Sequence, residues 1–244
     1  MKTVLITGAS GDIGRETALL FWRQGCQVAM HYFQHGENTA LLASRLNQER
    51  PGSALPVFAD IRSREDVDRM FCRIEDALGP ADVVVNNAGI SSQRLFTDIS
   101  ESEWDNMFDV HVKGTYLCCQ RALPYMIHEK KGSIVNVSSM WGQVGGSCEV
   151  HYSAAKGAVI ALTKALAMEL APSGIRVNCV APGMIDTAMN GHLSVEDRLS
   201  LREEIPLGRE GTPLEVAESI YFLASEKASF ITGQVLAPNG GMVL

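Results

Sequence analysis

The chain has 244 residues, 46% of them hydrophobic, enough for one large domain with a substantial core. Lys and Arg number 21 against 28 Asp and Glu, and the net charge of -7 opposes general affinity for nucleic acid or anionic membranes, favouring a small-molecule or protein-borne substrate. No apolar run approaches the roughly 20 residues of a membrane helix, the start Met1-Lys2-Thr3 does not read as a signal peptide, and six cysteines without metal-ligand spacing read as reduced thiols of a cytoplasmic protein that needs no metal.

Short β-rich runs alternate with amphipathic segments from end to end. In chain order they are VLIT and a helix over 13–24; VAMHY and 37–49; ALPVFA and 65–78; ADVVVN and 104–128; SIVNVS and 151–171; IRVNCVA and 213–224; and finally GQVLA. Seven strands alternating with six helices predict an α/β fold, a single Rossmann-like domain over 1–244 whose parallel, doubly wound sheet carries helices on both faces. Within 104–128, Trp104, Met107, Phe108, His111, Val112 and Thr115 recur at the spacing of one buried face. Residues 183–212 break the rhythm with Pro206, Gly208, Gly211 and Pro213. An insertion after a late strand lies at the carboxyl edge of such a sheet, so this stretch is expected to be a mobile substrate loop or lid.

The first strand runs straight into TGASGDIG, Thr7 to Gly14, and then into a helix. Glycines at that junction let backbone approach a pyrophosphate that the helix N-terminus attracts, which makes Gly8, Ser10, Gly11, Asp12, Ile13 and Gly14 candidate cofactor contacts. NNAG after the fourth strand (Asn87, Ala88, Gly89) permits close approach again. Asp60, followed by Ile61, ends the third strand, where its carboxylate either accepts from an adenine amino group or caps the next helix. Tyr152 and Lys156 stand four residues apart in HYSAAKGAV, one face of a helix, with Ser139 on the preceding strand segment. A fixed positive charge brings a phenol closer to neutrality, and a neighbouring hydroxyl steadies an oxyanion. The same spacing by itself also suits a half-buried ring beside a solvated charge.

The ordered set of TGASGDIG, Asp60, NNAG, Ser139, Tyr152, Lys156 and the APG of Ala181 to Gly183 resembles the classical short-chain dehydrogenase/reductase family over essentially the whole chain. The resemblance implies a nicotinamide cofactor and hydride transfer to or from a carbonyl carbon. Tyr152 would be the general acid, Lys156 would lower its pKa and bind the ribose, and Ser139 would hold the carbonyl oxygen. Pro182, Gly183, Ile185 and Thr187 would meet the nicotinamide. The second strand ends in HYFQH without the acid that NAD-specific members place there, so NADP (NADPH) is expected, with Gln34 and His35 either contacting its 2′-phosphate or simply solvated in the turn.

Two positions depart from the family pattern. Asp12 stands where a glycine or alanine is usual, and it is expected to cap the helix, turned from the phosphates. His111 stands where the fourth catalytic residue, an asparagine, is usual; it either keeps a proton relay with a stronger pH dependence or is a core histidine with its bonds satisfied.

Similarity is greatest to 3-oxoacyl-acyl-carrier-protein reductases, implying a small-molecule or carrier-borne ketone. Lys130 matches a basic docking position of that branch, while Ser173 replaces a second one. The stretch 138–156, with Trp141, Cys148 and Glu149, also resembles reductases of the aminopentanone on elongation factor P. Glu149 there is either a pocket-mouth carboxylate favouring a cationic ketone or an ordinary loop acid. A non-catalytic dinucleotide-sensing protein is the alternative of another class, and the resemblance implies a homotetramer.

Overall fold

The computed structural model describes residues 1–191 and 195–243. Apolar β-branched runs form β1 (Thr3–Ile6), β2 (Gln27–Tyr32), β3 (Ala54–Phe58), β4 (Val83–Asn86), β5 (Gly132–Val137), β6 (Ile175–Val180) and the short β7 (Val235–Leu236). The intervening helices are α1 (Asp12–Arg23), α2 (Gly36–Glu49), α3 (Arg64–Leu78), α4 (Glu101–Phe108), α5 (Gly114–Glu129), α6 (Trp141–Val144), α7 (Val150–Leu170), α8 (Val195–Glu204) and α9 (Pro213–Ala224). Local chemistry sets several starts. Ser63 accepts from the Asp66 amide at the head of α3, and reciprocal capping boxes pair Ser100 with Glu103 on α4 and Thr212 with Glu215 on α9, where Pro213 supplies the first turn.

The strands pair in parallel in the order β3-β2-β1-β4-β5-β6-β7. This is the expected doubly wound sheet. Alternate strand residues feed opposite faces. Leu5, Ala29, Val84 and Ile134 pack with Phe71, Ile74, Leu117, Met126 and Leu170 of α3, α5 and α7. Val4, Ile6, Val28, Met30, Val85 and Val135 pack with Phe21, Leu46, Ile220 and Leu223 of α1, α2 and α9. After β3 the chain crosses back to place β4 on the other side of β1. The carboxyl ends of β1 and β4 therefore flank the switch point, where open parallel sheets bind ligands.

Two stretches differ from the sequence expectation. The helix expected over 104–128 begins earlier, at Glu101, and passes through a π-helical turn, Asp109–Lys113, which carries His111. The stretch 183–212 is not simply a loop: Ala188–Asn190 forms a 3₁₀ turn and α8 follows, with residues 192–194 outside the described part. Arg198 and Arg202 of α8 both pair with the nearly buried Glu210, which ties the helix to the segment after it. Among the described residues, no helix is long and apolar enough to cross a membrane, and no cluster of metal-ligating side chains forms.

Candidate active site

The turn after β1 is held by contacts that reach across the sheet. Thr7 Oγ1 accepts the Asn87 and Ala88 amides at 2.9 and 3.0 Å, and Asn87 Nδ2 donates back to Thr7 O at 3.0 Å, so the glycine turn and NNAG are joined into one wall. Gly8 sits at φ +67°, where a Cβ would also lie 2.8 Å from Ala88 Cα; only glycine suits both demands. Gly14 is equally constrained, since a Cβ there would lie 2.2 Å from Gly8 O.

Helix α1 starts after Gly11 with no side-chain cap. The capping role expected of Asp12 is therefore corrected. Its carboxylate instead accepts the Ala188 amide at 2.8 Å, reaching into the segment after β6. That bond carries the carboxylate toward the segment after β6 and leaves the α1 N-terminus without a side-chain cap.

The end of β5 and the first turns of α7 bring the reactive trio together. Ser139 Oγ accepts the Trp141 amide at 3.2 Å, and its hydroxyl is near enough to the Tyr152 phenol to act on its pKa. Lys156 is almost fully buried, with Nζ donating to Val137 O at 2.8 Å and lying 5.6 Å from the Tyr152 ring centre. Burial lowers the Lys156 ammonium to about 8 and pushes the Tyr152 phenol up to about 12, a rise that the nearby Ser139 hydroxyl opposes and the Glu149 charge reinforces. In this structure burial outweighs the neighbouring lysine, and the Tyr152 phenol lies above its ordinary value.

His111 packs edge-on against Tyr152, 5.4 Å between ring centres, and its Nε2 lies 2.8 Å from Ile90 O and 3.2 Å from the Ile90 amide. Burial and then the Lys156 charge hold its pKa well below the ordinary value. That direction suits the expectation of a core histidine better than that of a ring titrating near its ordinary value.

These groups line one cavity of about 660 Å³. It runs from Gln34 and His35 past Gly8, Ser10, Gly11, Asp12, Ile13 and Gly14, along Asn87, Ala88 and Gly89, to His111, Ser139, Tyr152 and Lys156, and is closed by Pro182, Gly183, Ile185 and Thr187. Trp141 and Glu149 border its catalytic end, as do Met184, Met189, Leu201 and Met242, which the sequence did not single out. Other expected residues lie outside this lining. The Asp60 carboxylate is held by Arg62, 2.7 Å between Oδ2 and Nη2, a bond that keeps its pKa below the usual range, and it does not cap α3 because Ser63 does. Ile61 is buried against Gly114. Cys148 adopts φ +60° in the loop before α7 without lining the cavity. Lys130 ends α5 just before β5, at the edge of the sheet opposite Tyr152, as does Ser173 before β6.

The family model described as enoyl-(acyl carrier protein) reductase matches residues 8–243. The chain belongs to the short-chain dehydrogenase/reductase family. An uncharacterized oxidoreductase, YmfI, of Bacillus subtilis is 43% identical over 98% of both chains. The 3-oxoacyl-[acyl-carrier-protein] reductases FabG of Thermotoga maritima and Staphylococcus aureus are 41% and 39% identical, each covering 100% of this chain and 98% of the relative.

Members of this family of oxidoreductases use a nicotinamide dinucleotide. The residues present fit one. An uncapped helix N-terminus borders the cleft and suits a pyrophosphate, and at Gly11 a Cβ would meet nothing closer than Gly8 O at 3.6 Å, which leaves the approach open. Sequence reasoning missed Thr7 and His31, whose polar atoms bind the turn; the one available signal was a histidine inside the otherwise apolar run VAMHY.

Proposed function

We propose that the protein is an NADPH-dependent ketone reductase of the 3-oxoacyl-acyl-carrier-protein type. The observation that carries this reading is Tyr152, its phenol held in the protonated range, lining one cavity with Ser139, Lys156 and an uncapped helix N-terminus. A dinucleotide held by the glycine turn and NNAG would supply hydride to the carbonyl carbon. Ser139 and Tyr152 hold the carbonyl oxygen, and Tyr152 transfers its proton to it as charge develops, completing the alcohol. With a pKa of about 8, Lys156 is mostly charged at neutral pH, and its position near the ring favours the phenolate that remains after transfer. His111, anchored on Ile90, keeps the floor of the site in place beside Tyr152. NADPH rather than NADH is favoured by Gln34 and His35 lining the far end of the cavity, with no acid in HYFQH.

Glu149 favours a second reading, in which the ketone carries an amine, as on a modified elongation factor P. It borders the cavity and bears the charge that such a substrate would pair with. NADPH oxidation measured side by side with a β-ketoacyl thioester and an aminoketone-modified elongation factor separates the two, and turnover of neither refutes both. Exposed apolar side chains on α7, α9 and the last strand, Met168, Phe222 and Leu236, support a homotetramer; light scattering that finds a stable monomer would refute it.

A further inference from the structure

His31 is a polar residue in a strand whose neighbours Val28, Ala29 and Met30 are fully buried, and it is itself 2% exposed. Imidazole in such a place is tolerated only when both nitrogens are satisfied. Both are, by two different segments at the carboxyl edge of the sheet. Nδ1 accepts the Gly8 amide at 3.0 Å, and Nε2 faces Ala59 O at 3.0 Å. A carbonyl can only accept, so Nε2 carries the proton and Nδ1 is the acceptor. The His31 carbonyl takes the next amide as well, that of Ala9, at 2.8 Å. Gly8 in turn uses its own carbonyl for Gly11 at 3.2 Å and for Asn87 Nδ2 at 3.3 Å. The whole glycine turn thus hangs from the imidazole on one side and from NNAG on the other.

We propose that His31 is a positioning residue for the dinucleotide: its Nδ1 fixes the Gly8 amide and with it the turn that presents the N-terminus of α1, while its Nε2 proton ties that turn to the end of β3. The inference rests on the reading of the cavity as a dinucleotide site. Burial lowers the imidazole to about 4, so the neutral tautomer that the two bonds require persists across the working range. The two bonds are chemically separable. Asparagine places its Oδ1 where Nδ1 stands and retains the acceptor for Gly8 while losing Ala59. Glutamine reaches the position of Nε2 and retains the donor to Ala59, leaving the Gly8 amide without its acceptor.

The test is equilibrium binding of NADPH, with NADH as a second probe, to wild type, His31→Asn, His31→Gln and His31→Leu, followed by nucleotide fluorescence. Circular dichroism checks that each variant is folded. The Gln and Leu variants are expected to bind both probes about tenfold or more weakly, one lost hydrogen bond's worth. The Asn variant is expected to stay within about threefold of wild type, and turnover at saturating cofactor to change less than the dissociation constant in every folded variant. Equal losses in Asn and Gln, or wild-type binding in Gln, overturn the assignment, because either leaves His31 only filling space. Failure of wild type to bind either probe refutes the dinucleotide reading itself, a separate outcome.

Discussion

Replacing Lys156 by methionine is expected to make the protein more stable while stopping turnover. Lys156 is 3% exposed, and its pKa falls from 10.5 unfolded to about 8 folded because burial penalises the charge. A displacement of that size corresponds to roughly 3 kcal/mol of folding free energy lost at neutral pH. Methionine has nearly the same length and no charge to desolvate, but it leaves Val137 O without the 2.8 Å bond from Nζ, a loss of about 1 kcal/mol. The net gain is about 2 kcal/mol, or about 4–8 °C in Tm for a chain of this size. The pH dependence has a definite sign. Below about 8 both states hold the proton and the penalty is complete; between about 8 and 10.5 the unfolded chain binds more protons than the folded one, so wild-type stability rises with pH and the gap closes. Urea unfolding of wild type and Lys156→Met at neutral and alkaline pH measures this difference directly. A variant less stable than wild type at neutral pH, or a gap that does not narrow toward pH 10, refutes the reasoning.

Because burial and the Lys156 charge push the His111 pKa down, the rate profile of wild type is expected to show no histidine limb near the ordinary imidazole pKa, and a limb there that disappears in His111→Ala would restore a titrating relay. His111→Asn, which keeps a polar group toward the Ile90 backbone, is expected to retain most turnover, whereas His111→Leu is expected to lose about 10²-fold through misplacement of Tyr152, checked by steady-state kinetics. Aspartate at Gln34 or His35 supplies the acid that HYFQH lacks and is expected to shift the NADH/NADPH preference toward NADH by about tenfold, measured as the ratio of kcat/KM values. Gly14→Ala forces a Cβ onto Gly8 O, and is expected to destabilise the fold by about 1–3 kcal/mol in urea titrations and to weaken NADPH binding.

The sheet and the reactive trio were legible because their signals are local. Period-two and period-3.6 patterns survive within single segments, and Tyr152 and Lys156 share one face of α7 whatever surrounds them. What stayed hidden depends on partners far along the chain. The fate of the Asp12 carboxylate is decided by the Ala188 amide, 176 residues away, and that of His31 by Gly8 and Ala59 on two other segments. Helix α8 was missed because Pro206 and Gly208 punctuate its neighbourhood and its exposed surface carries no apolar stripe. The π-helical turn at His111 is invisible to periodicity because the buried face continues through it. The raised pKa of Tyr152 is likewise a property of burial; spacing alone pointed the other way.

The central claim is that Tyr152 donates the proton in a carbonyl reduction, and the direct test pairs NADPH binding with NADPH oxidation in wild type and Tyr152→Phe. The account expects Tyr152→Phe to bind NADPH like wild type, to keep the packing of its ring on His111, and to lose about 10²–10⁴-fold in turnover of the ketone that wild type reduces. Turnover in Tyr152→Phe equal to that of wild type would contradict it.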